Sequence, residues 1–305
     1  MTVIKTFKYL IEFLIIIFFF IIFKIIGIKL SSFISGKIFS IIGPLFRSKK
    51  TINQNMFIAL PNKSSAEIEK YKNNMWNYYG KILAEYPFLN KFRNDESKKY
   101  IIIDGENYLE EIKSKNESVI FISGHFDNFE LMALCLEKNK INLSAIYRPL
   151  NNIFLNKIME YLRKKYICKN QIKKGRSGIR ELIQLFKSGS SIALMIDQRV
   201  SEGIKSEFFG KKAYTTTIPA QFFKKFNCKI VPIHIERGDT IKFRLKVFKP
   251  IQFNQNDSIE NITDELNLWL QNRIQKNPSQ WIWTHNSVQI HWEGFFCILF
   301  CNHKL

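Results

Sequence analysis

The chain has 305 residues, of which 46% are hydrophobic, 14% aromatic and 24% charged. This composition supports a large buried core and excludes disordered chains, while 13 glycines and 8 prolines are too few for collagen-like or elastic proteins. Lys and Arg outnumber Asp and Glu by 46 to 26, and the net charge of +20 indicates an anionic partner: nucleic acid, acidic lipid or an acidic carrier protein. Five cysteines, an odd number in a chain too large to need disulfides, are expected to be reduced thiols.

The N-terminal segment predicts a membrane anchor. Residues 7–28 are almost wholly apolar, and the few charged residues lie toward the ends of the segment. A helix over them would be about 33 Å long, which is enough to cross a hydrocarbon core. More lysines follow the segment than precede it, so the positive-inside rule places the rest of the chain in the cytoplasm. We therefore expect an uncleaved single-pass anchor in residues 1–30 and a cytoplasmic domain in residues 31–305. A monotopic helix and a cleaved signal peptide are the alternatives.

Short apolar β-branched runs alternate with helical periodicity along the rest of the chain. We expect buried strands at 99–103, 118–123, 142–147, 190–196, 229–235 and 241–248. We expect helices at 31–47, 66–86, from just after residue 124 to 138, and at 151–166, 178–188, 217–226 and 259–276. The first of these suits either a membrane-interface helix or a core helix, and Ser64 or Ser65 would cap the second. Alternation of this kind predicts an α/β fold with a central, mostly parallel sheet flanked by helices.

The turn that follows the second predicted strand carries the strongest candidate site. The strand ends at Gly124, so His125 lies at the carboxyl edge of the sheet, where open α/β folds bind ligands. Asp127 or Asn128 would cap the following helix, whose free N–H groups favour negative charge. With His125 in the turn, Glu130 folds back to the imidazole and orients it, as a general base requires. Asp127 is a second possible partner.

Several sequence blocks occur in the order and spacing of one bacterial family. His-x4-Glu between a strand and a helix resembles the signature of glycerolipid and lipid A acyltransferases, and GHFDNFE is similar to the GHxGNWE form of the lipid A late acyltransferases. Further blocks resemble that family's NLxxxFP, RPx, GR…G…DQ, FFGxxAxT and PxQWxWxH patterns. In the same order, the first pattern matches residues 55–61 and the second matches residues 147–150. The third matches residues 175–176, 189 and 197–198, the fourth matches 208–210 and 215–216, and the last matches 278–285. The chain thus resembles these lauroyl and myristoyl transferases over residues 5–285.

The resemblance implies a bacterial inner-membrane enzyme that moves a fatty acyl chain from acyl carrier protein to a hydroxyl of a phosphorylated lipid A precursor. It implies no metal, no cofactor and no nucleic-acid partner. His125 would be the general base and Glu130 its orienting carboxylate. Arg148 would receive phosphate or oxyanion charge. The full set of expected substrate contacts is Arg148, Asp197, Gln198, Asn128 and Phe209, the last of these against the acyl chain.

The chain departs from the family pattern in two places. Asp127 stands where the family usually has a small residue, so Asp127→Gly should be tolerated. After His285 the tail, residues 287–305, is apolar, contains cysteine and resembles nothing in the family. We expect its removal to leave the fold intact. Two alternatives stay open: a glycerolipid or other glycolipid acyltransferase with the same dyad, and a catalytically inactive, membrane-associated binding homologue.

Overall fold

A seven-stranded sheet forms the centre of the protein, whose computed structural model describes residues 3–95, 98–198, 200 and 203–284. The strands of the described part are β1 (Ile101–Asp104), β2 (Ile120–Ser123), β3 (Leu143–Tyr147), β4 (Asn170–Lys173), β5 (Ser191–Met195), β6 (Ile204–Phe208), β7 (Lys211–Thr215), β8 (Ile230–Arg237) and β9 (Phe243–Val247). The sheet order is β1-β9-β8-β2-β5-β3-β4, and every neighbouring pair is parallel except β8 with β9. β6 and β7 form a separate antiparallel hairpin.

Helices cover this sheet. They are α1 (Val3–Ile26), α2 (Ile28–Ile42), α3 (Lys49–Ala59), α4 (Ser65–Glu85), α5 (Leu89–Arg93), α6 (Glu106–Ser114), α7 (Glu130–Lys138), α8 (Ile153–Leu162), α9 (Arg176–Lys187), α10 (Ile218–Phe226) and α11 (Ile259–Lys276). β2 is buried at all of its positions, as is typical of a parallel strand with helices on both faces. The expected α/β fold with a mostly parallel sheet is confirmed.

Two predicted helix caps can be compared with the structure. Ser64 and Glu67 form a complete capping box at the start of α4, which confirms the predicted cap. At α7 the expectation is wrong: the helix begins after Phe129 without a side-chain cap. Asp127 and Asn128 are instead drawn into ion-pair and hydrogen-bond contacts elsewhere.

α2 packs closely on α4 through small residues. An added Cβ at Gly80 would lie 2.2 Å from the carbonyl oxygen of Ser35, so the two backbones meet where a side chain cannot fit. The Ser35 hydroxyl donates to the carbonyl oxygen of Gly80 at 2.7 Å. The opposite side of α2 exposes large apolar side chains, among them Phe33 and Ile41. The buried face is that of a core helix, and the exposed apolar face keeps the membrane-interface interpretation open as a prediction.

α1 also has two different faces. Tyr9, Glu12, Ile16 and Phe23 are buried, and the side-chain amide of Asn152 donates to the Tyr9 carbonyl oxygen (2.9 Å) and to the Glu12 carboxylate (3.0 Å). The rest of the helix exposes large apolar side chains. By length and composition, α1 and residues Ile28–Leu45 could each cross a membrane, and these apolar helices suggest membrane association. The single pass and its orientation stay predictions.

Candidate active site

His125 lies in the turn between β2 and α7, as the sequence predicts, and it is 4% exposed. Its Nδ1 lies 2.7 Å from Oδ1 of Asp197, and its backbone N–H donates to Oδ2 of the same carboxylate at 2.6 Å. The indole N–H of Trp281 donates to Oδ2 at 2.9 Å. Asp197 is therefore held in one orientation against the imidazole.

This arrangement selects one tautomer of His125. The ionised Asp197 carboxylate is an acceptor only, so in the neutral ring Nδ1 carries the hydrogen and Nε2 keeps its lone pair. The side-chain amide nitrogen of Gln198 lies 2.8 Å from Nε2 and donates to it. Gln198 thereby occupies the donor position at Nε2. The basic nitrogen of His125 is oriented before any substrate arrives.

Glu130 makes different contacts from those predicted. Its Oε1 accepts from the hydroxyl of Tyr86 at 2.7 Å and from Nε of Arg163 at 2.9 Å, with a further contact to Nη2 of Arg163. Burial opposes the charge of Arg163, but Glu130 and Tyr86 outweigh it and raise the pKa of the guanidinium. A buried cation therefore holds the Glu130 carboxylate. The expectation that Glu130 orients the imidazole is corrected: Asp197 holds Nδ1.

A cavity of about 150 Å³ joins several of the predicted site residues. His125, Glu130, Arg148 and Gln198 all line it. Its other polar lining includes Arg163, Gln171 and Lys174, and its apolar lining includes Phe121, Met132, Ala133, Ala145, Ala193 and Met195. Basic side chains beside an apolar lining suit a ligand that joins an anionic group to a hydrocarbon chain.

Three of the predicted substrate contacts, Asp197, Asn128 and Phe209, are not among the described residues that line this cavity. Asp197 adjoins it through His125. The side-chain amide of Asn128 donates to Glu85 at 3.0 Å, and the residue is buried. Phe209 has a left-handed backbone (φ +51°), and its N–H donates to the side chain of Gln271 at 2.7 Å. Its ring packs on Phe208 with the ring centroids 4.7 Å apart. Asn128 and Phe209 are therefore held by contacts outside the described lining of the cavity.

The side chain of Asp127 lies in a buried ion pair that the sequence did not predict. Its carboxylate is inaccessible to solvent and forms an ion pair with Arg237, which also binds Glu85. A small residue at this position would leave one side of that guanidinium without its partner. The expectation that Asp127→Gly is tolerated therefore lacks support from the structure, although glycine would relieve the left-handed backbone (φ +37°).

The separate sequence blocks meet in space at this site. Asn55 donates through its side chain to the carbonyl oxygen of Trp283 at 3.1 Å. Phe126 and Trp281 form an isolated antiparallel bridge, and Trp281 reaches Asp197. Comparison with known families then shows the family of the chain, because the model of the bacterial lipid A biosynthesis acyltransferases matches residues 2–289. The chain belongs to the bacterial lipid A biosynthesis acyltransferase family.

Other comparisons with this lipid A acyltransferase family member are more distant. The crystal structure of the 1-acyl-sn-glycerophosphate (LPA) acyltransferase PlsC from Thermotoga maritima matches with 14% sequence identity and a TM-score of 0.39. The match covers 83% of this chain and 98% of that one. Among curated protein sequences no match is found.

Two features of this family member were not anticipated from its sequence. The pairing of Asp197 with His125 follows from the sheet, because β2 and β5 are parallel neighbours with Ser123 opposite Met195. Residues at the same distance beyond two such strands lie side by side. The strand order, once known, therefore predicts this contact. Arg163 begins a π-helical turn, Arg163–Ile167, that ends α8. Nothing in its local sequence indicates a place in the cavity wall.

Proposed function

We propose that this protein transfers a fatty acyl chain from the thioester of acyl carrier protein to a hydroxyl group of a phosphorylated lipid A precursor. The observation that carries the proposal is the His125–Asp197 pair, whose histidine lines the cavity while the carboxylate holds its Nδ1 from behind. A histidine whose Nδ1–H is held by a buried carboxylate is suited to accept a proton at Nε2. Membership of the family supports acyltransferase chemistry on a lipid acceptor.

In the proposed reaction, Nε2 of His125 takes the proton of the acceptor hydroxyl while the hydroxyl oxygen attacks the thioester carbon. A C–O bond forms, and the carbonyl oxygen becomes an oxyanion. Collapse of this intermediate breaks the C–S bond, and His125 returns the proton to the leaving thiolate. Asp197 stabilises the imidazolium between these two steps. Gln198 must release Nε2 when the hydroxyl binds. The electrons and protons balance without a metal or an additional cofactor.

We assign the cavity lining according to its chemistry. Arg148 and Lys174 would meet substrate phosphate or the developing oxyanion, because both are cations at the same cavity as His125. The apolar lining would receive the acyl chain. Glu130 would act through Arg163, fixing that guanidinium in the wall beside the reacting atoms. This keeps Glu130 in the site, in a role different from the one predicted.

The surroundings of the enzyme are also part of the proposal. The exposed apolar faces of α1 and α2 would hold it at the bacterial inner membrane, with the α/β domain in the cytoplasm. The net charge of +20 would favour acidic partners, namely acyl carrier protein and anionic lipid.

The test is acyl transfer by the purified full-length protein from acylated carrier protein to a lipid A precursor. We expect His125→Ala to lower the initial rate by about 10²- to 10⁴-fold, the usual value of general-base catalysis, without changing the melting temperature much. Equal background transfer by wild type and His125→Ala would contradict the proposal and favour a non-catalytic binding role. Preference for lysophosphatidic acid as acceptor would show a glycerolipid enzyme instead. Mass spectrometry of lipid A from a host that lacks its own late acyltransferase provides the matching test in cells.

A further inference from the structure

A fully buried ion cluster adjoins the turn that carries His125. Arg237, the last residue of β8, donates from Nε to both Asp127 oxygens at 3.0 and 2.9 Å and from Nη2 to Oδ1 at 2.6 Å. Nη1 and Nη2 also donate to Glu85 at 2.6 and 2.9 Å. All three side chains are inaccessible to solvent. Burial opposes the charge of Arg237, but the two carboxylates outweigh it and raise its pKa, so the guanidinium stays charged.

The cluster is bound to elements on both sides of the turn. Glu85, at the end of α4, accepts from the Ser32 hydroxyl of α2 at 2.9 Å and from the Asn128 amide at 3.0 Å. Two consecutive residues of the turn are thus held by the Arg237–Glu85 pair: Asp127 binds Arg237, and Asn128 binds Glu85. The turn includes a non-glycine residue with a left-handed backbone, which persists only when its surroundings hold it.

A second series of contacts returns from the cluster to His125. Gln280 accepts from the Asp127 N–H through its carbonyl oxygen at 2.7 Å and from the Arg237 N–H through its side chain at 2.9 Å. The next residue, Trp281, donates to Asp197, which holds the imidazole. Cluster and imidazole are therefore parts of one closed network.

We propose that Asp127, Arg237 and Glu85 are positioning residues, whose ion cluster fixes the turn so that His125 meets both Asp197 and the cavity. The catalytic part of the test rests on the proposed function. An ion cluster that only stabilised the fold would lower the melting temperature and leave turnover of the folded enzyme unchanged. A cluster that positions His125 would lower turnover at temperatures where the enzyme is fully folded.

The experiment compares the full-length wild type with Asp127→Asn, which keeps the shape of the side chain, and Arg237→Lys, which keeps the charge but loses the two-sided fork. The matched control is Asp104→Asn, which breaks the solvent-exposed pair with Arg244 at 2.9 Å. Initial rates give kcat and KM below the melting transition of each variant. A separate readout is the rate at which diethyl pyrocarbonate modifies His125, followed by mass spectrometry of its peptide.

We expect both cluster variants to lower kcat by roughly tenfold to a hundredfold, with KM little changed, because a small misplacement of a catalytic group is enough for such a loss. The modification rate of His125 should rise in both and stay at the wild-type value in the control. Wild-type kcat and wild-type modification in the folded variants would overturn the proposal, even if their melting temperatures fall. A wild type without transfer activity would contradict the proposed function, while the modification rate still decides whether the cluster positions His125.

Discussion

At the scale of single residues, the His125–Asp197 pair determines which ring nitrogen of the neutral imidazole keeps its lone pair. An acceptor-only carboxylate keeps the hydrogen on Nδ1, as the 2.7 Å contact requires. The amide of an asparagine at position 197 could donate to Nδ1 and so favour the opposite tautomer. The identity of this one oxygen atom thus controls whether the imidazole can accept a proton from a hydroxyl.

This geometry ranks two isosteric variants. We expect Asp197→Asn to lower the acyl-transfer rate by about 10²- to 10⁴-fold, because the base loses both its tautomer and its counter-ion. Glu130→Gln should lower it less, since it leaves the His125–Asp197 contact in place and changes only the partner of Arg163. Initial rates of the purified variants, with melting temperatures as the folding control, make the comparison. The opposite ranking would restore Glu130 as the orienting carboxylate.

His234 provides a residue-scale prediction about pH. It is fully buried in β8 and packs edge-on against Phe126, while Glu236 and the side-chain amide of Asn277 face its Nε2. Burial lowers the pKa of His234 below 6.5, against the opposing effect of Glu236, so the folded state keeps the ring neutral. In the unfolded chain, His234 binds a proton at about pH 6.5. Because protonation then favours the unfolded state, the folded protein loses stability as the pH falls below that value.

We therefore expect the melting temperature of the wild type to fall between pH 7 and pH 5.5 by more than that of His234→Gln. Contacts with His234 and Lys246 lower the pKa of Glu236, and the Lys246 ammonium, 2.8 Å from this carboxylate, stays in the variant, so Glu236 is ionised across this window in both proteins. Equal pH dependence in the two proteins would show that His234 is not the group responsible. The other titrating groups are common to the two proteins, so the difference between their pH profiles reports His234.

At the scale of helices and strands, much of the fold was predictable from apolar patterns. The interior strands β2, β5 and β8 were predicted because they are short runs of buried apolar residues, and α11 was predicted with its correct ends. The edge strand β4 and the hairpin β6–β7 were missed, because they bury few side chains and read as polar sequence. Likewise, the local sequence predicts His125 as a site residue, whereas its pairing with Asp197 follows only from knowing which strands are neighbours.

The contact between α2 and α4 leads to a prediction about packing. Gly80→Ala would place a methyl group 2.2 Å from the Ser35 carbonyl oxygen and 2.7 Å from Cβ of Phe39, so the two helices would have to separate. We expect a loss of about 1–3 kcal/mol in the free energy of unfolding, measured by denaturant titration in detergent. Gly238→Ala is the control, because its nearest neighbour lies 3.7 Å away. Equal effects of the two substitutions would mean that close approach at Gly80 is not what stabilises the pair.

At the scale of the whole molecule, charge and apolar surface are distributed unevenly. Exposed large apolar side chains are concentrated on the N-terminal helices, among them Phe7, Leu14 and Phe18 of α1. Elsewhere such residues are scattered, as is normal for a protein surface. Because the other face of α1 packs on the domain through Asn152, removal of the helix would disturb the fold as well as membrane attachment. Point substitutions on the exposed face separate the two effects.

We expect the combined variant Phe7→Ser, Leu14→Ser and Phe18→Ser to leave the membrane fraction while its melting temperature in detergent stays unchanged. Each large apolar side chain contributes roughly 1.5–3 kcal/mol when it moves from water into an apolar phase. The control carries serine at three exposed apolar positions of the α/β domain, Ile102, Ile179 and Leu268. Flotation with lipid vesicles measures both. Equal flotation of the variant and the wild type would show that this face is not the attachment surface.

The strand order also determines when the protein can fold during its synthesis. β1 ends at Asp104, and its neighbour in the sheet, β9, begins at Phe243. At about 5–20 residues per second, a ribosome needs on the order of ten seconds to make the intervening chain. α1 is complete long before that, and so is available to a membrane while the sheet lacks one edge. Nascent chains halted before Phe243 should therefore already be membrane-bound yet still be cut by protease within β1, and they should become resistant once Val247 has left the ribosome.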